Sequence, residues 1–130
     1  GFEGKNYDLI KAYVTALPEY TRVNMNTAPA LLLASIDPKI DVKALEQALK
    51  TKQANLTYFN NVDDLWQLSV FSGIDEANKA DAAALLDSKS NFFTAQIEVV
   101  LSERKRQFTS ALARKDKQVT VYSRSLSPFQ

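Results

Sequence analysis

Cysteine and histidine are absent from this 130-residue sequence, and only three of its residues are glycine. Without Cys and His, the chain has no disulfide bond, no thiolate nucleophile, no Cys/His zinc site and no mechanism that uses imidazole as a base. The lack of Cys leaves the redox compartment open. No apolar run approaches the roughly 20 residues that a membrane-spanning helix needs. The first residues do not resemble a signal peptide, because charges follow Phe2 closely, so we expect the chain as given to be soluble.

The remaining composition is that of a globular domain with a buried core. Hydrophobic residues make up 45% of the chain and charged residues 24%, which suits one compact domain or a helical part joined to a small sheet. Residues 1–90 hold nine basic and twelve acidic residues, whereas residues 91–130 hold seven and three. This polarity is too weak to predict a nucleic-acid groove. The first residue is Gly1 and not Met, which suits a processed product or a piece of a longer protein.

The first predicted helix precedes a segment rich in helix-start signals, in which the second predicted helix begins. The first helix, over residues 7–17, places apolar side chains at helical spacing and ends at Pro18. The second helix lies in the stretch NTAPALLLASID. Asn26 or Thr27 is its predicted N-cap, because either side chain can accept a hydrogen bond from a free backbone amide. Pro29 is expected in the first turn of this helix, where its missing N–H costs nothing.

A third helix is predicted after the turn Asp37-Pro38, which ends the second one. Asp41 is its predicted N-cap. Ile40 and Leu45 lie on either side of this cap at the spacing of a hydrophobic staple.

Two more helices are predicted before residue 88. Asn61 is expected to cap the fourth, whose first turn carries Asp63 and Asp64 where the helix dipole favours negative charge. Gly73 is expected to end it through a positive φ. An alanine-rich last helix is predicted over residues 75–87.

After residue 88 the sequence period changes from that of a helix to that of a strand. The stretches NFFTAQIEVVLS, QFTSALA and VTVYSRS alternate apolar and polar side chains, which predicts three antiparallel strands with turns at 103–106 and 114–118. The predicted fold class is therefore α+β, with a helical subdomain over 1–88 and a sheet over 89–130. The basic residues at 104–106 are expected to be solvated in a turn, with contact to an acidic partner surface as the alternative.

One face of this three-stranded meander is predicted to be almost wholly apolar. Its members are Phe93, Ile97, Val99, Leu101, Phe108, Leu112, Val119 and Val121. Such a face needs a cover, because burial of each large apolar side chain stabilises by roughly 1.5 to 3 kcal/mol. We expect the helices of residues 7–87 to cover it only partly. The chain is therefore predicted to expose this face or shield it with another chain, and to expose an edge strand that can pair with a partner.

Several motifs occur in an order that resembles one protein family. VNMNTAP is followed by VDDLWQL with FSGID, then by SNFF, and then by a meander that contains a Leu-x-Arg element. Over roughly residues 13–126 this pattern resembles the C-terminal half of protein K of the type II secretion system, a minor pseudopilin of the general secretion pathway. The matching residues are Asn24, Asn26, Thr27, Ala28, Pro29, Ser90, Phe92, Phe93, Leu112 and Arg114.

The resemblance implies both a fold and a role. The implied fold is a SAM-like helical subdomain followed by a three-stranded antiparallel meander that completes a pilin-type sheet. The implied role is non-enzymatic: a subunit at the tip of the pseudopilus that assembles with other minor pseudopilins and supports protein export across the outer membrane. The secreted substrate and the outer-membrane secretin are further candidate partners. The implied location is the periplasm, with inner-membrane anchoring through an N-terminal segment that this sequence does not contain.

Two other functions fit parts of the sequence. Bacterial helix-hairpin-helix DNA-uptake proteins open with a similar Asn-x-Asn-Thr-Ala element, so a nucleic-acid-binding module is an alternative. Such modules hold phosphate on a Gly-x-Gly hairpin at a helix N-terminus, whereas the glycines here are Gly1, Gly4 and Gly73. We therefore expect no nucleic-acid partner. A free-standing helical interaction domain is the other alternative.

The residues point to no cofactor and no catalytic site. The acidic residues at 63, 64, 75, 76 and 81 lack the spacing of an EF-hand loop. Some members of the family that this sequence resembles bind calcium. The resemblance therefore leaves calcium binding as an alternative, with no ligand residues assigned. No Ser, Lys or carboxylate pair has a recognisable base or oxyanion loop beside it, so no catalytic residue is predicted. Trp66 is expected in the core, with an interface anchor as the alternative.

Overall fold

The computed structural model describes residues 4–126, and the chain divides between Lys89 and Ser90 into two compact parts. We call residues 4–89 the helical unit and residues 90–126 the sheet unit. The sequence placed this division one residue earlier. Among the described residues, none of the helices has the length and apolar character needed to cross a membrane.

Five α-helices and two very short strands make up the helical unit. In chain order they are α1 (Lys5–Ile10), β1 (Val23–Asn24), α2 (Ala30–Ala34), α3 (Val42–Ala54), α4 (Val62–Trp66), α5 (Glu76–Leu85) and β2 (Leu86–Asp87). A 3₁₀ turn over Ser69–Phe71 follows α4. The strands β1 and β2 pair in parallel, with Val23 opposite Leu86.

The core of the helical unit lies between α2, α3, α4 and the 3₁₀ turn. Its most completely buried side chains are Met25, Leu33, Leu45, Leu65 and Phe71. The ring of Trp66 is partly buried and meets the Phe71 ring edge to face, with 5.4 Å between centroids. Trp66 therefore belongs to the core packing, as expected from the sequence.

Two predicted helix caps are confirmed. The Asp41 carboxylate accepts a hydrogen bond from the Ala44 backbone N–H (2.7 Å), and Ile40 and Leu45 on either side are both buried. The Asn61 side-chain oxygen likewise accepts from the Asp64 N–H (3.1 Å) at the start of α4. Each cap satisfies a backbone donor that has no partner within the helix.

The first and fourth predicted helices are shorter than the sequence period suggested. Helix α1 ends at Ile10 and buries none of its residues, and Tyr13 and Val14 lie beyond it with exposed side chains. An amphipathic helix gains most of its stability from packing its apolar side on another surface, and α1 has no buried residue that would show such packing. Helix α4 ends at Trp66, because Leu68 is extended, and the following 3₁₀ turn is capped by Ser72. Gly73 does not have a positive φ, so the predicted glycine stop is wrong.

The predicted helix over residues 75–87 ends two residues early. Its last two residues, Leu86 and Asp87, are extended and form strand β2, which pairs with β1. Tertiary pairing with a segment more than sixty residues away therefore overrides the local helical preference of this stretch.

The sheet unit is the predicted antiparallel meander. Its strands are β3 (Phe92–Leu101), β4 (Arg104–Lys115) and β5 (Gln118–Leu126), in the order β3-β4-β5. The connecting turns contain two residues each, and the first of these, Ser102 or Asp116, has φ 56. Tight turns of this kind make the strands longer than predicted. Arg104, Lys105 and Arg106 consequently lie in β4 and not in a turn, which corrects the expectation from the sequence.

Candidate functional site: the signature loop and the apolar face

The predicted N-cap of helix α2 is wrong. The helix begins at Ala30, its N-cap residue is Pro29, and no side chain caps it. Pro29 therefore lies immediately before the helix and not in its first turn. Residues 24–29 form a loop that we call the signature loop. Neither Asn26 nor Thr27 caps the helix, because the Asn26 side chain bonds Phe59 and Ser88 outside this loop and the Thr27 hydroxyl bonds the Asn24 carbonyl within it.

Asn26 ties the signature loop to two distant segments. Its side-chain oxygen accepts a hydrogen bond from the Phe59 N–H (2.8 Å), and its side-chain nitrogen donates to the Phe59 carbonyl (2.9 Å) and the Ser88 carbonyl (3.1 Å). The primary amide thus satisfies both backbone groups of Phe59, as a neighbouring strand would. Because Phe59 is buried, these groups would otherwise lack partners.

The other family-motif residues in the signature loop form contacts close to it in the sequence or pack against the core. The side-chain oxygen of Asn24 accepts from the Asn26 N–H (2.9 Å), and the Asn24 carbonyl accepts from the backbone N–H groups of Thr27 (3.1 Å) and Ala28 (2.9 Å). The Thr27 hydroxyl lies 3.3 Å from the same carbonyl. An asparagine side chain that accepts a hydrogen bond from the backbone N–H two residues later forms an Asx-turn, which is common in loops. Ala28 packs against the core.

A cavity of about 380 Å³ lies beside the signature loop. Its lining includes Met25, Lys52, Tyr58 and Phe59. The Lys52 ammonium lies 4.6 Å from the centroid of the Phe59 ring, which is a cation–π contact. Lys52 is also in the last turn of α3, where the helix dipole favours a cation. Packing and the helix dipole together account for the position of this charge.

Asp37 is a buried carboxylate that the sequence marked only as part of a turn. It is 1% exposed, and its oxygens accept hydrogen bonds from the Lys39 N–H (2.9 Å), the Asn78 side-chain amide (2.8 Å) and the Asp75 N–H (3.5 Å). These bonds, led by that from Lys39 and then that from Asn78, lower the pKa of Asp37 from its ordinary value. Asp37 therefore fixes the loop after α2 to the start of α5.

Three of the five acidic residues considered for calcium have partners within the helical unit. The Asp64 carboxylate accepts from the Asn60 N–H (2.8 Å), Asp75 pairs with Lys39 (3.1 Å), and Glu76 pairs with Lys79 (2.7 Å). Within residues 4–126, no three acidic side chains gather in a group that could hold a metal ion.

The family-motif residues outside the signature loop lie at one end of the sheet unit. Phe93 lies opposite Leu112 in the β3–β4 register. The Arg114 guanidinium donates to the Ser90 carbonyl (2.7 Å) and lies 5.4 Å from the Phe93 ring centroid. Phe92 points to the other face, where its ring meets that of Tyr122 edge to face at 5.9 Å. The structure thus brings Ser90, Phe93, Leu112 and Arg114 together and separates Phe92 from them.

The strand register places all the predicted apolar residues on one face of the sheet. Phe93 and Leu112 lie in line with Val121, Ile97 lies opposite Phe108, and Val119 lies opposite Arg114. A bulge at Tyr122 shifts the alternation on β5 by one residue, so that Arg124 and Leu126 lie on the same face as Val119 and Val121. We call this the apolar face; its apolar members are Phe93, Ala95, Ile97, Val99, Leu101, Phe108, Leu112, Val119, Val121 and Leu126.

The apolar face is open in this structure. Ile97 is 46% exposed, and Val99 and Val121 are each 48% exposed. The prediction that the chain exposes this face is therefore confirmed for the described residues. Both outer strands, β3 and β5, also have one edge without a neighbouring strand within the three-stranded sheet, so the predicted exposed edge strand is present as well.

The opposite face of the sheet is mostly polar, although Phe92, Val100 and Tyr122 also lie on it. It carries Thr94, Gln96, Glu98, Gln107 and Thr109. Glu98 accepts from the Gln107 amide (3.2 Å) and pairs with the Lys105 ammonium (3.2 Å). The hydrogen bond from Gln107 and then that from Lys105, followed by the Lys105 charge, lower the pKa of Glu98 from its ordinary value. The contrast between the two faces is that of a sheet with one side in water and the other packed on a core.

Comparisons with known proteins agree with the resemblance seen in the sequence. The structure is similar to a chain in the crystal structure of the GspK-GspI-GspJ complex from the enterotoxigenic Escherichia coli type 2 secretion system, with a TM-score of 0.75 and 19% identity. The match covers 96% of this chain and 44% of that chain, so this chain spans less than half of its length. A search of curated proteins finds no match. A model of the family "Type II secretion system (T2SS), protein K" matches residues 23–87, half of the chain. That half holds the signature loop and the helical core, and the match shows that the chain belongs to the type II secretion system protein K family.

Proposed function

We propose that this chain is the C-terminal part of a minor pseudopilin, a non-enzymatic subunit of the type II secretion system. It acts at the tip of the pseudopilus and assembles there with other minor pseudopilins to support protein export across the outer membrane. The full-length protein lies in the periplasm and is anchored in the inner membrane by a segment outside this sequence. The secreted substrate and the outer-membrane secretin are further candidate partners.

The open apolar face is the observation that carries this proposal. A three-stranded sheet that exposes a face of large apolar side chains is incomplete by itself, because such a face gains stability only when another layer covers it. A pilin-type fold supplies that layer as a long helix that precedes the sheet. The helical unit, in this proposal a SAM-like subdomain, is then an addition to a pilin-type sheet.

The fold comparison supports the choice of partners. The similar crystal structure contains three secretion proteins in one complex, GspK, GspI and GspJ. Assembly of this chain with other minor pseudopilins would follow the same pattern. No cofactor takes part in the proposed role, and the hydrogen-bonded groups of the signature loop and of Asp37 serve folding and not chemistry.

A matched pair of substitutions in the full-length protein tests the role of the apolar face. Val99 and Val100 are neighbours in β3, are about half exposed, and lie on opposite faces. We expect Val99→Glu to reduce both the amount of protein that copurifies with the other minor pseudopilins and secretion of a type II substrate, because a carboxylate would enter a covered apolar layer. Val100→Glu should leave both nearly unchanged. Equal effects of the two substitutions, or none, would contradict the proposal.

A titration with duplex DNA tests the main alternative. The chain should not bind a fluorescent duplex at low salt with a Kd below about 1 μM, because a salt-dependent non-specific interaction needs several cations aligned on phosphates. Tighter binding that weakens steeply with added salt would overturn the assignment.

A further inference from the structure

The cavity beside the signature loop is lined by a lysine that has no carboxylate partner. Two lysines of the described residues are partly buried, Lys52 and Lys79. Lys79 pairs with Glu76 at 2.7 Å, whereas the Lys52 ammonium contacts the Phe59 ring and no carboxylate of residues 4–126. Among the described residues that line the cavity there is no Asp or Glu. The cavity therefore presents a positive charge that these residues do not neutralise.

The backbone around Lys52 leaves room for an anion. The end of a helix ordinarily disfavours negative charge, because its last carbonyls lack donors. Here the Thr51 carbonyl accepts a hydrogen bond from the Asn55 N–H (3.1 Å). The Lys52 carbonyl accepts from the Thr57 N–H (2.9 Å) and from the Thr57 hydroxyl (3.1 Å). An anion beside the Lys52 ammonium would therefore find these carbonyls already bonded.

Two large apolar side chains are exposed next to this cavity. Tyr58 lines the cavity and is 58% exposed, and Leu56, two residues earlier, is 75% exposed. Leu56 also has φ 53, a left-handed conformation that suits glycine or asparagine better than leucine. Neither side chain belongs to the core of the helical unit. Exposed apolar side chains grouped at a cavity are typical of a surface that binds another protein.

We propose that Lys52, Leu56 and Tyr58 form a surface that binds an acidic peptide segment of a partner protein. A Glu or Asp side chain of that segment enters the cavity and pairs with the Lys52 ammonium, while a neighbouring apolar side chain packs on Tyr58 and Leu56. A charge-assisted hydrogen bond in a partly buried site is stronger than one in open water. All these residues lie in the helical unit, so this binding goes beyond the proposed function and does not depend on the apolar face of the sheet.

A peptide fits this surface better than a small anion does. A free phosphate or carboxylate would reach Lys52 but would leave Leu56 and Tyr58 in water. Lys52 is also the sole cation among the described residues that line the cavity, which suits one carboxylate, whereas a nucleic acid needs several cations along its phosphates. Met25 and Leu49 add apolar surface to the lining, against which the methylene groups of a Glu side chain can pack.

An NMR titration of the isotope-labelled 130-residue chain with two peptides tests this binding. Both peptides have about nine residues, an extended length that crosses the cavity, and the same leucines beside a central residue, which is Glu in one and Gln in the other. We expect the amide signals of Lys52, Tyr58 and Phe59 to shift, and the Glu peptide to bind about tenfold tighter at low salt. The difference should shrink as salt is added. Equal affinities, no binding at about 1 mM peptide, or shifts confined to the sheet unit would overturn the proposal.

Substitutions on helix α3 provide a matched control. Lys52→Gln should remove the preference for the Glu peptide, and Lys52→Arg should retain it. Lys43→Gln removes the same charge from an exposed position on the same helix that does not line the cavity, and should leave the preference unchanged. Lys52→Glu should reverse the preference in favour of a peptide with a central Lys, which an unfolded variant could not do. A preference for Glu that survives Lys52→Gln would overturn the assignment.

Two further measurements separate a peptide from other ligands. Tyr58→Ser, a change at an exposed position, should weaken both peptides by a similar factor of about five; unchanged affinity would overturn the apolar half of the surface. Inorganic phosphate at the same concentration should leave the Lys52 and Phe59 signals in place. Equal shifts with phosphate would overturn the proposal in favour of a site for small anions. Either failure would leave the Val99 and Val100 test of the proposed function unaffected.

Discussion

Replacement of Asn26 by alanine should destabilise the helical unit strongly. The substitution removes the partners of the Phe59 N–H, the Phe59 carbonyl and the Ser88 carbonyl. One buried donor left without a partner costs about 1 to 3 kcal/mol, and the two carbonyls add to this, so we expect a loss of about 2 to 4 kcal/mol. The isosteric change Asn26→Asp keeps the acceptor for the Phe59 N–H but places a carboxylate against two carbonyl oxygens. It should therefore be at least as harmful at neutral pH.

Urea unfolding followed by Trp66 fluorescence measures this effect, because Trp66 lies in the helical unit and contacts Phe71. The unfolding midpoint should fall while the slope with urea stays constant, since the surface exposed on unfolding is the same. Asn55→Ala, at an exposed position, is the control and should change stability by less than about 0.5 kcal/mol. A loss below about 0.5 kcal/mol for Asn26→Ala would refute the reasoning. If assembly with other pseudopilins failed while stability stayed constant, the signature loop would be an interface.

Three further predictions concern the caps, the core and pH. Asp41→Ala should cost about 1 kcal/mol in urea unfolding, because the Ala44 N–H loses its acceptor; an unchanged midpoint would exclude the cap. Leu45→Ala should cost about 2 to 5 kcal/mol, since Leu45 is fully buried, and Val42→Ala on the exposed side of α3 should cost much less; similar losses would contradict the described core. In the folded state the pKa of Asp37 lies below its ordinary value of 3.8. The stability it contributes is therefore present above pH 3.8 and lost as pH falls through the lower folded pKa. Asp37→Asn should be less stable than the natural chain at pH 7, and the gap should narrow towards pH 3; a gap independent of pH would contradict this.

Features that depend on neighbouring residues could be predicted from the sequence. The caps at Asp41 and Asn61 were found because a cap needs only a side-chain acceptor and a backbone donor three residues later. The meander and its apolar face were found because strand side chains alternate with a fixed period of two. The exposure of that face also followed from the sequence, since the predicted helices were assigned to a separate subdomain that would cover it only partly. Family membership was recognisable from the order of the motifs before any fold was known.

Other features depend on which distant segments meet, and a local pattern cannot give this. Asn26 looked like a helix cap, yet its amide bonds Phe59 and Ser88, which lie 33 and 62 residues away. Asp37 looked like a turn residue, yet it binds Asn78 across the fold. The charges at 104–106 suggested a solvated turn. These residues lie in a strand instead, because the turn contains only residues 102 and 103. The sequence by itself determined the caps, the strand period and the apolar face, whereas only the tertiary structure decided the partner of each polar side chain, because a hydrogen bond requires two groups to be brought within about 3 Å and the fold alone does that.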